Sequence, residues 1–118
     1  MNNKFKILPE ATIDICYQVE LSDKEAALVH EILKKMRVSH DGVIECSLSF
    51  EEIVSITKDN ATPIEESIDK ISTASLRIKS EGSFSSQPLF FSTSLLLSTK
   101  TLYVSLNPIL SNVLERLR

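Results

Sequence analysis

Lys70, Arg77, Lys79 and Lys100 are the side chains whose type and spacing best suit a chemical task, the neutralisation of phosphate. Arg77 and Lys79 alternate with Leu76 and Ile78, so a strand there projects both cations from one face. Lys70 falls on the exposed face of the preceding predicted helix, where Ser67 and Thr73 could also reach base edges. Glu65, Glu66 and Asp69 share that helix and oppose an anionic partner. Catalysis has weaker candidates. His30 sits beside Val29 on a predicted helix and His40 in a turn, and neither has a second ligand at metal-binding spacing. Glu51-Glu52 and Glu65-Glu66 occupy helix first turns, where the helix dipole favours acids. Cys16 and Cys46 form no C-x-x-C pair, and no P-loop, G-x-S-x-G or G-x-G-x-x-G is present. The expectation is a non-enzyme without metal, cofactor or small-molecule substrate.

These residues need a scaffold, and 118 residues suffice for one domain with a real core. The chain is 42% hydrophobic and 25% charged, ordinary for a globular protein. It holds no apolar run of membrane-spanning length, and its first residues lack the apolar core of a signal peptide. Two unclustered cysteines fit reduced thiols in a cytoplasmic protein. The net charge of −3 argues against a broadly basic nucleic-acid surface. Residues 1–75 hold 8 Lys/Arg against 14 Asp/Glu, whereas residues 76–118 hold 5 against 2. Positive potential is therefore expected in the C-terminal third.

Residues 11–19 alternate as a half-buried strand, with Ile13, Ile15, Tyr17 and Val19 on one side. Ser22 and Glu25 form a capping box that opens a helix to about Val38, with Val29, Ile32, Leu33 and Met36 as its core stripe. A short strand is expected at 43–48. Ser49 and Glu52 repeat the capping box before a helix carrying Phe50, Ile53, Val54 and Thr57, which Asp59-Asn60-Ala61 should break. Thr62 as N-cap and Pro63 at the first position open a third helix, 62–76, with Ile64, Ile68 and Ile71 inward. A basic strand follows from Leu76, then strands at 89–97 and 102–106 joined by Ser98-Thr99-Lys100-Thr101. Asn107-Pro108 opens a final helix.

Apolar residues are in surplus near the end. Phe90-Phe91 and Leu95-Leu96-Leu97 place apolar groups on both faces of one strand. One face serves the core and the other needs a cover, either the N-terminal strand and terminal helix or a second copy, for which Phe90, Leu95 and Leu97 are the expected contacts.

The order of elements predicts an α+β fold: a winged helix, residues 1–118 in a single domain, with an additional N-terminal strand and C-terminal helix. The helix at 21–36, the helix pair at 50–76 followed by Leu76-Arg77-Ile78, and the close Leu102-Tyr103-Val104-Ser105-Leu106-Asn107-Pro108-Ile109-Leu110 resemble plasmid replication initiators of the iteron-binding class, in their first winged-helix domain. The resemblance implies a homodimerising domain in DNA replication that makes auxiliary backbone contacts to double-stranded DNA. It also implies a second winged-helix domain for most base reading, for which this chain is too short. The alternative is a winged helix that binds protein and never touches DNA, which the acidic third helix favours.

Overall fold

The computed structural model describes residues 10–58 and 62–117, so the break expected at Asp59-Asn60-Ala61 lies outside it. The fold is mixed α+β with two antiparallel sheets. In chain order the elements are β1 (Thr12–Cys16), α1 (Asp23–Lys35), β2 (Arg37–Val38), β3 (Ile44–Ser49), α2 (Phe50–Thr57), α3 (Ile64–Ile71), β4 (Ser75–Ser80), β5 (Ser83–Pro88), β6 (Phe90–Leu96) and β7 (Thr101–Leu106). A 3₁₀ segment (Pro108–Val113) then leads into α4 (Leu114–Leu117). One sheet has the order β1-β4-β5 and the other β2-β3-β7-β6.

Both capping boxes form. The Ser22 hydroxyl accepts from the Glu25 N–H at 3.1 Å, and the Glu25 carboxylate accepts from the Ser22 N–H at 3.0 Å. Ser49 and Glu52 repeat the exchange at 3.1 and 3.3 Å. Such reciprocal bonds satisfy amide donors that a helix start leaves bare. α1 buries Leu28, Val29, Ile32 and Leu33 and packs against α2, α3 and β3. Ile53, Ile71, Leu76, Leu102 and Leu110 complete a core drawn from both sheets and every helix region.

Several boundaries differ from the sequence pattern. α1 stops at Lys35, because Arg37 and Val38 pair with Glu45 and Ile44 as a short strand. Pro63, not Thr62, holds the N-cap position of α3, and that helix ends at Ile71. β5 is too polar, as SFSSQP, to be visible by periodicity. It exists because Glu81-Gly82 reverses the chain, with Gly82 at φ 76°, and returns it along β4. Its proline is tolerable because β5 is an edge strand. The expected last helix is mostly a 3₁₀ segment capped by Asn107, whose side-chain oxygen accepts from the Ile109 N–H.

Leu89 is the joint between the sheets. Its N–H donates to the Ala74 carbonyl and its own carbonyl accepts from the Asn107 N–H, each at 3.0 Å. The Asn107 amide also donates to the Pro88 carbonyl at 2.8 Å. These bonds carry the chain from β5 in one sheet to β6 in the other with the Leu89 side chain 0% exposed.

Candidate association and nucleic-acid surfaces

The strand carrying Arg77 and Lys79, expected as the wing beside the helix pair, pairs instead with β1 and β5. Leu76 and Ile78 point into the core, so Arg77 and Lys79 project together from the outer face, roughly 7 Å apart along the strand. Across the sheet Arg77 stands between Asp14 and Ser86, and Lys79 between Thr12 and Phe84. Asp14 therefore offsets part of the charge that Arg77 brings. Lys100 lies far along the chain on the other sheet, in the turn between β6 and β7. Of the four cations, only Arg77 and Lys79 share one strand face.

Lys70 is half-buried and paired within the molecule. Its ammonium lies 3.6 Å from the Glu25 carboxylate, which ties α3 to the start of α1. Glu25 is 7% exposed, and its second oxygen has no hydrogen-bond partner. Burial pushes its pKa upward, but the Ser22 amide, the Ser67 hydroxyl and the Lys70 charge outweigh that and hold it below the ordinary value. A carboxyl with a lowered folded-state pKa stabilises above its unfolded pKa and loses that contribution as pH falls through the folded value. Glu25→Gln, which keeps an oxygen for the Ser22 N–H but loses the charge, is therefore expected to cost about 1 kcal/mol at pH 7 through the ion pair to Lys70 and the charge-assisted hydrogen bonds. The gap from wild type should close on acidification below 4.5, measured by urea melts along a pH series. The outward face of α3 that remains carries Glu65, Glu66, Asp69 and Ser72.

The apolar surplus divides between core and surface. Phe90 is 7% exposed and belongs to the core, which corrects its expected place in an association surface. The reason is register: Phe90 pairs with Leu106 on the inner side, and a β-bulge follows. The bulge leaves Phe91 without a partner on β7 and turns it outward, 75% exposed. Leu95 is half-buried against the core. Leu97, in the turn, is 62% exposed, and Leu96 and Tyr103 also reach solvent on the outer face. β6 pairs with β7 alone among the described strands, so its other backbone edge is open.

Beside the bulge, a cleft of about 540 Å³ opens between β6, the turn before β3 and the 3₁₀ segment. Val43, Phe91, Leu106 and Pro108 give it apolar walls, and Asp41 and Glu45 are its charged residues. The Ser92 and Ser105 hydroxyls bond to each other at 2.8 Å on its β6–β7 side. Phe91 belongs to the apolar surplus legible in the sequence, but alternation could not show that it, rather than Phe90, faces out, because a bulge is not visible there; nor could it show the cleft, which three separated segments build.

The thiols offer little chemistry. Burial raises the Cys46 pKa to about 11, so it stays a neutral thiol at pH 7. Cys16 is half-buried. Among the described residues no group of three His, Cys, Asp or Glu could hold a metal ion. No helix among them is long and apolar enough to cross a membrane. Comparison with protein-family models, curated proteins and solved structures gives no match.

Proposed function

We propose that the chain is a replication-initiator-like winged-helix domain that acts mainly by homodimerising through β6 and makes auxiliary DNA backbone contacts with Arg77 and Lys79. The observation that carries the reading is connectivity. Leaving out β1, β2, β4 and β5, the order is helix, strand, helix, helix, strand, strand, and the first strand pairs with the last: β3-β7-β6 around α1, α2 and α3. That order supports the winged-helix reading, with β6–β7 as the wing and the β4–β5 hairpin as an insertion.

Self-complementarity supports the dimer. The regular part of β6 beyond the bulge, Ser92 to Leu96, has Ser94 at its midpoint. An antiparallel pair of β6 strands centred on Ser94 sets Phe91 opposite Leu97 of the second copy, twice, by two-fold symmetry. The two most exposed apolar residues of this edge would then cover each other. The open backbone edge supplies the hydrogen bonds, as in strand addition.

The acid-bearing face of α3 and the Lys70–Glu25 pair favour the second reading, a protein-binding module that leaves DNA alone. A duplex titration separates the two. On the initiator reading, binding at low salt weakens steeply with added salt, and Arg77→Ala with Lys79→Ala lowers the slope of log K against log salt by about 2. Duplex binding that ignores the double substitution, or none at low salt, leaves the protein-binding reading in place.

A further inference from the structure

We infer that Phe84, with Lys79 and Arg77 beside it, stacks a base of single-stranded DNA, so that the outer face of the β1-β4-β5 sheet takes an unpaired strand. The inference rests on the backbone contacts proposed above for Arg77 and Lys79, and it names the form of DNA that this face fits.

Among the described aromatic side chains only Phe91 is more exposed than Phe84, which is 64% exposed. The β6 pairing belongs to the other sheet and leaves Phe84 uncovered. Phe84 does not pack against the core either. Its neighbours give it a use. Lys79 stands directly across from it, about 5 Å away between Cβ atoms, and Arg77 is its diagonal neighbour at about 7–8 Å. All three project from one face, because Leu76 and Ile78 turn inward. Neither cation is held in an ion pair among the described residues. Asp14, across from Arg77, is the acid on this face, and Glu10 and Glu81 lie beyond the strand ends. The Arg116 guanidinium donates to the Ala11 carbonyl at 3.2 Å and brings a third cation to the end of the sheet where Lys79 and Phe84 sit.

An exposed ring flanked by cations is the arrangement that binds unpaired strands. A base stacks on the ring while neighbouring phosphates meet the cations. β5 is an edge strand, so its outward N–H groups and the Ser86 hydroxyl are further donors to phosphate oxygens. A duplex has no use for the ring, because its bases already stack on one another. Duplex backbone contacts would need only Arg77 and Lys79, and Phe84 is the residue that marks the single strand.

Fluorescence-anisotropy titration at low salt with a labelled thymidine oligonucleotide, and with its duplex on the complementary strand, tests this. Phe84→Ala is expected to weaken single-strand binding roughly tenfold and to leave duplex binding unchanged. Phe84→Trp should restore single-strand binding. The chain has no other tryptophan, so the emission of that variant should fall as the strand is added. Circular dichroism should show both variants folded. Single-strand binding indifferent to Phe84→Ala, equal losses for both forms of DNA, or unquenched emission from Phe84→Trp would overturn the inference while leaving the duplex contacts of Arg77 and Lys79 standing. A wild-type chain that binds neither form would overturn both.

Discussion

Leu89→Ala is expected to lower the free energy of unfolding by about 3–5 kcal/mol, a large fraction of the ~5–15 kcal/mol that holds a domain of this kind together. The side chain is fully buried, and the residue sits where the chain passes from one sheet to the other. Truncation there leaves a cavity that cannot collapse easily, because the backbone on either side is held by the bonds to Ala74 and Asn107. Urea unfolding should show a lower midpoint with little change in slope, as expected when native stability alone is altered. Phe84→Ala is the control: Phe84 is exposed on an edge strand, so its loss should stay within about 0.5 kcal/mol. A Leu89 variant as stable as the Phe84 variant would mean that the two sheets are not joined at this point.

The second large effect falls on association rather than folding. Phe91→Ser combined with Leu97→Ser is expected to weaken the dimer at least about 100-fold. Two apolar side chains per copy lose their cover, and burying each contributes about 1.5–3 kcal/mol. The folded monomer should lose no more than about 0.5 kcal/mol, because both residues face solvent within one chain. That separation of effects distinguishes an association surface from a core. Phe90→Ser gives the opposite pattern, with loss of folding stability first, since Phe90 is buried against the β7 side of its sheet.

Local signals in the sequence carried far. The two capping boxes, the helix stripes and the alternation of Leu76 and Ile78 with Arg77 and Lys79 each appear in the structure, because each depends on residues a few positions apart. What alternation cannot show is which strands pair. Nothing local to Arg77 says that its strand joins β1 and β5 while the β3 sheet takes β6 and β7. Nor does local pattern reveal that Lys70 meets Glu25, 45 positions earlier in the chain. β5 escaped notice because its serines have no apolar rhythm, and its pairing with β4 supplies what propensity lacks. The surface residues were legible only as a surplus. Phe90 and Phe91 look equivalent in sequence, and one bulge sends the first inward and the second out.

The central claim is that β6, with Phe91 near its start and Leu97 just past its end, joins two copies. Sedimentation equilibrium of the wild-type chain and the Phe91→Ser, Leu97→Ser variant, at matched concentrations and salt, tests it most directly. The expected result is a wild-type dimer and a folded, monomeric variant over the same concentration range. A wild-type chain that remains monomeric throughout, or a double variant that dimerises as tightly as wild type, would contradict it.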